Sequence, residues 1–112
     1  MSKRDQVLLQ KIKAHQKILL DTIKELRISS PSDLEAVHYM MRRGMVQTVA
    51  DIFELTIPLS DEIELPLNRE IIKQFRNTAS HNYGQITNVL AYACILHCVE
   101  KSLLNAVESF LK

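Results

Sequence analysis

The sequence predicts an all-α fold, an up-and-down four-helix bundle formed as one domain over residues 1–112. Two observations carry this. Only 2 glycines and 3 prolines punctuate the chain, too few turn-formers for many short strands, and four segments repeat apolar side chains at three- and four-residue spacing. A hydrophobic content of 46% suffices for one core. With 14 basic and 13 acidic side chains the formal charge is +1, so any nucleic-acid site must be a local patch. The apolar runs fall short of the roughly 18 uncharged residues that span a bilayer, and the basic start leads into no signal-type core. The expected location is cytoplasmic, with no membrane partner.

In the first segment Leu8, Leu9, Ile12, Leu19, Leu20, Ile23 and Leu26 form one stripe, and Ser29, Ser30 and Pro31 close the helix. Ser32 and Glu35 have capping-box spacing, which starts a second helix there. Its expected inner face is Leu34, Val37, Met41, Met45, Val49, Ile52 and Phe53, and Pro58 ends it. His38 falls on that apolar face and His15 at the edge of the first helix, where a core histidine bonded to a carbonyl is the expectation. Met40, Met41 and Met45 read as packing residues. An acidic connector with Asp61, Glu62 and Glu64 follows, and Asn68 is the expected N-cap of a third helix. That helix buries Ile71, Ile72, Phe75 and Ala79 and sets Arg69, Lys73 and Arg76 in a basic line beside them.

A turn around Asn82, Tyr83 and Gly84 precedes a last helix expected to run unbroken over 86–111. Its predicted core face is Val89, Tyr92, Ala93, Leu96, Val99, Leu103, Val107 and Phe110. The opposite side is apolar at Ala91, Cys94, Ile95 and Cys98 and polar from Lys101 onward. An all-round apolar stretch needs cover on both sides, so these four residues are the expected interface of a homodimer. The two cysteines, one turn apart, are expected to be reduced and buried.

The residues at the third junction carry the chemistry. Arg76, His81 and Tyr83 stand in F-R-N-T-A-S-H-N-Y-G. Arginine offers a permanent cation for phosphate oxygens, histidine exchanges a proton near neutral pH, and a phenol donates to phosphate or stacks on a base. Together they suit metal-independent RNA cleavage by attack of the ribose 2′-hydroxyl, with no cofactor. Helix geometry turns Arg76 and His81 apart within one chain, so two copies would have to pool their groups. The structural alternative pairs Arg76 with an acid, uses His81 as a cap and packs Tyr83 over the turn.

The run from Arg76 to Tyr83, followed by Ile86 on the last helices of a short helical chain, resembles the HepT-like branch of the HEPN superfamily. The resemblance covers the helix order of nearly the whole chain, with strong motif identity over 76–86. It implies a dimeric ribonuclease toxin of a toxin–antitoxin pair, with Arg76 and His81 catalytic. It also implies a minimal nucleotidyltransferase antitoxin that silences the toxin by AMPylation of Tyr83. Asn82, Gly84 and Thr87 stand where the family more often has an acid, an aromatic, and Asp or Asn.

Arg69, Lys73, Arg42 and Arg43 are the expected RNA-binding cations. Cys94, His97 and Cys98 have ligand-like spacing but lack a fourth ligand, so no metal is expected. Glu100, on the apolar face, is expected to form a structural pair. The alternative function is a non-catalytic helical dimer that binds a nucleotide or a nucleotidyltransferase partner, and a plain adaptor using the acidic connector is the third.

Overall fold

The path of the chain follows from where its helices can be capped. The computed structural model describes residues 1–79 and 85–112. It contains α1 (Lys3–Leu26), a 3-10 helix (Pro31–Ala36), α2 (Tyr39–Thr56), α3 (Arg69–Ala79), α4 (Asn88–Val99) and α5 (Lys101–Leu111), with no strand among the described residues. The fold is all-α. α1 packs on α2, α4 and α5, and α4 also meets the 3-10 helix, α2 and α3.

Ser2 caps α1, its hydroxyl accepting the Asp5 N–H at 3.0 Å. α1 buries Leu9, Ile12 and Leu19 of the expected stripe, and with them Gln16, and ends at Arg27, which takes the left-handed conformation at φ 55°. There the Ile28 N–H donates back to the Ile23 carbonyl at 3.1 Å, closing the last turn. The helix thus stops before Ser29.

The second helix starts later than expected. Pro31 fixes the first helical position, so the cap falls on Ser30 rather than Ser32. Asp33 rather than Glu35 reaches back, accepting from the N–H groups of Ser29 and Ser30 at 2.8 and 3.1 Å. This box opens only a 3-10 turn, which Val37 leaves in extended conformation. His38 is exposed and caps α2, accepting the Met40 N–H at 3.2 Å; it is not a core histidine. Met40 and Met41 lie exposed in the first turn, whereas Met45, Val46, Val49, Ile52 and Phe53 are buried. His15 bonds a carbonyl as expected, with Nδ1 2.7 Å from that of Lys11, but it is half-buried at the surface rather than in the core.

The last segment departs most. Glu100 leaves the helical region at φ −66°, ψ 149°, so the expected single helix is two. The core face of α4 is Ala91, Cys94, Ile95 and Cys98, each at most 1% exposed, while Val89 and Leu96 are 68% and 43% exposed. In α5 the buried residues are Leu103 and Val107, as expected. A helix advances about 100° per residue, so in an unbroken helix the two core faces would stand roughly 150° apart. Counting back from Leu103 in sevens through an unbroken helix reaches Leu96 and Val89, the wrong side of α4. Ala91, Cys94, Ile95 and Cys98 therefore belong to the chain's own core and cannot form the dimer interface assigned to them.

The break frees carbonyls in the last turn of α4. Gln16, buried in α1, takes one of them, its Nε2 donating to the Cys98 carbonyl at 2.9 Å. By length and composition residues Asn88–Leu111, 24 in all with a hydropathy of 1.2, could cross a membrane, more than the apolar runs had suggested. Here they are interrupted at Glu100 and pack against α1, α2 and α3.

Two adjacent residues test the new face. Ile95→Ala is expected to destabilise the chain by about 2–5 kcal/mol, as a large-to-small change in a core does. Leu96→Ala should stay within about 1 kcal/mol in dilute monomer. Urea unfolding of both variants measures the difference.

Candidate functional site

The basic line of α3 borders an open groove. Asn68 caps α3, its Oδ1 accepting the Ile71 N–H at 3.1 Å. Phe75 fixes the helix against α2 by an edge-to-face contact with Phe53, ring centroids 5.4 Å apart. Arg69, Lys73 and Arg76, all exposed, then line one side of a groove of about 1330 Å³ between α2, the connector and α3. Its floor includes Phe53, Ile63 and Phe75, and its other side carries Asp51, Glu54, Asp61 and Glu64. The groove is therefore split by charge, cationic along α3 and anionic along α2 and the connector.

Arg76 stands in the last turn of α3, at the edge of the motif. Its Nε lies 3.4 Å from Oε1 of Glu54 on α2, with the two side chains 51% and 61% exposed. His81 and Tyr83 lie outside the described residues, as does the turn through Asn82 and Gly84. Of the other expected RNA-binding residues, Arg43 is exposed with Nη1 3.4 Å from the Tyr39 hydroxyl. Arg42 has a different task. Its Nε donates to Asn88 Oδ1 and its Nη2 to the Ile86 carbonyl, both at 2.7 Å, so it clamps the start of α4 to α2.

The cysteines are inert. Burial pushes the Cys94 thiol up to about 12 and raises that of Cys98 further, where Cys94 and Glu100 add to the effect. Both stay protonated thiols within the core. Among the described residues no group of three or more His, Cys, Asp and Glu side chains is placed to hold a metal. His97, weighed with the cysteines as a ligand, pairs instead with Glu100, Nδ1 to Oε1 at 2.8 Å. That is the structural pair expected of Glu100.

One contact that shapes the groove was not foreseen. Asp5, only 1% exposed, accepts the Ser60 hydroxyl at 2.6 Å and the Ser60 N–H at 3.1 Å. It ties the connector to the start of α1 and so holds the anionic wall. The sequence carried a weak signal, an acid in the first turn of α1 on the buried side, without showing its partner. Glu54 was likewise legible as an exposed acid of α2 but not as the neighbour of Arg76.

Comparison of the chain with protein-family models, with curated proteins and with solved structures gives no match.

The Ser60 hydroxyl, followed by the Ser60 N–H, lowers the Asp5 pKa from 3.8. A lowered carboxyl stabilises the fold above its unfolded value of 3.8, and this contribution is lost as pH falls through the lower folded value. Asp5→Asn is therefore expected to be less stable than the native chain at neutral pH and to show a shallower loss of stability below about pH 4. Urea midpoints measured across that range check the slope.

Proposed function

We propose that the chain is a HepT-like ribonuclease toxin of the HEPN superfamily, a helical bundle acting as a homodimer in the cytoplasm. It cleaves RNA without metal or cofactor, and a minimal nucleotidyltransferase antitoxin silences it by AMPylation of Tyr83. The observation that carries the reading is the setting of Arg76. The motif arginine ends α3 half-exposed, on the same groove edge as Arg69 and Lys73. Its contact with Glu54 is between exposed groups, worth about 0–1 kcal/mol, and a phosphate can replace it.

In this mechanism the ribose 2′-hydroxyl attacks the adjacent phosphorus and the 5′-oxygen leaves. Arg76 stabilises the charge that develops on the phosphoryl oxygens, and His81 of the motif moves the proton. Arg69, Lys73 and Arg43 hold flanking phosphates. AMP on Tyr83 adds bulk and a negative charge where the RNA must enter. The dimer uses the outer face of α4, where Val89 and Leu96 are exposed and Tyr92 and Ala93 half-buried, in place of the face expected from sequence.

The acidic wall favours a second reading. Asp51, Glu54, Asp61 and Glu64 repel a polyanion from the depth of the groove. A non-catalytic dimer that binds a nucleotide or a nucleotidyltransferase partner along the α3 edge needs no polyanion there.

Incubation of the purified protein with tRNA in EDTA separates the two. The first reading predicts products with cyclic phosphate ends, and a loss of about 100-fold or more in rate for His81→Ala and Arg76→Ala with the oligomeric state unchanged. Intact RNA together with Arg76-dependent nucleotide binding selects the second reading. In the presence of ATP and a minimal nucleotidyltransferase, the intact mass should rise by whole AMP units in the native chain and not in Tyr83→Phe.

A further inference from the structure

A buried imidazole joins the end of α4 to the start of the basic helix. His97 is 5% exposed, and both of its ring nitrogens are engaged. Nε2 accepts the Asn68 backbone N–H at 2.9 Å, and Nδ1 lies 2.8 Å from Glu100 Oε1. A backbone N–H can only donate, so Nε2 carries no proton. In the neutral ring the proton then sits on Nδ1 and is donated to the Glu100 carboxylate. Asn68 is the residue from which α3 starts. Its Oδ1 accepts the Ile71 N–H and its carbonyl accepts the Ile72 N–H, each at 3.1 Å.

We infer that His97 is a positioning residue for α3, effective only while Nε2 is unprotonated. Uptake of a proton at Nε2 sets one N–H against another, breaks the bond to Asn68 and releases the first turn of α3, which carries Arg69. The far end of α3 stays held, because Phe75 is buried against Phe53. The contact of Nδ1 with Glu100 is the same in either protonation state, so the bond that a proton on Nε2 removes is the one to Asn68. The groups that face the ring are Glu100 at the end of its own helix, the Asn68 amide from the connector and the Phe53 ring of α2, whose centroid is 6.3 Å away. Beside it, Pro66, Leu67 and Ile71 share a shallow hollow with His97 and Glu100. Glu100 is the charged side chain in this set.

The consequence for RNA rests on the ribonuclease reading, whereas the release of Asn68 does not. The experiment is therefore made first on the full chain without RNA. Nitrogen NMR follows the His97 ring between about pH 5 and pH 8, and hydrogen exchange follows the Asn68 amide over the same range. Protection of the Asn68 amide, corrected for intrinsic exchange, should fall on the order of tenfold with the midpoint of His97 protonation, the equivalent of one net hydrogen bond. His97→Gln offers an uncharged acceptor and should abolish the pH dependence. His97→Phe should leave the amide unprotected at every pH.

Asn68 protection that is independent of His97 titration overturns the inference, and so does an unchanged pH dependence in His97→Gln. A second arm measures RNA binding in the His81→Ala background. Acidification should weaken binding relative to the same background carrying His97→Gln. An NMR result as expected with no RNA bound or cleaved overturns the ribonuclease reading and leaves the positioning role standing.

Discussion

The backbone break at Glu100 is the constraint on which the rest of the molecule depends. Residues 88–99 are apolar on all sides, so their sequence does not choose an inner face. The choice is made by the turn at Glu100, which lets α5 pack against α1 while α4 points Ala91, Cys94, Ile95 and Cys98 inward. Two side chains match the break. Gln16 supplies a donor to a carbonyl that a continuous helix would have used, and His97 meets the Glu100 carboxylate. A buried glutamine and a buried histidine are costly unless bonded; here His97 and the Nε2 of Gln16 are bonded to the place where the helix stops, while Gln16 Oε1 has no partner among the described residues.

The same break sets what the chain shows to its surroundings. With the small residues and cysteines turned inward, the larger Val89 and Leu96 face out, and α4 keeps an apolar outer stripe. On the other side of α3 the groove presents cations along one edge and carboxylates along the other. Arg42 and Asp5 act near opposite ends of α2, and neither lines the groove. One joins the start of α4 to α2, and the other anchors the connector. Charges that would read as ligand-binding in the sequence thus divide into those that hold the fold together and those that face the groove.

Where side-chain periodicity was strong, the fold was legible in the sequence. The stripe of α1, the inner face of α2 from Met45 onward and the Asn68 cap of α3 all stand where spacing put them. Errors came where one rule was extended across a point of local chemistry. Pro31 moved a capping box by two residues, and the clear amphipathic phase of α5 was carried back across Glu100 into a segment with no phase of its own. For the site, the basic line of α3 was legible because it depends on helix geometry alone. The Glu54, Asp5 and His97 contacts were not, because they join segments 22, 55 and 29 residues apart.

Thiol labelling tests the break and its consequence most directly. If Cys94 and Cys98 belong to the core of one chain, a maleimide should leave both untouched in the native protein at any protein concentration. Both should react only as rapidly as the chain unfolds. Fast labelling in dilute solution, slowed as the concentration rises, would return these residues to an interface between copies. It would contradict the packing described for α4.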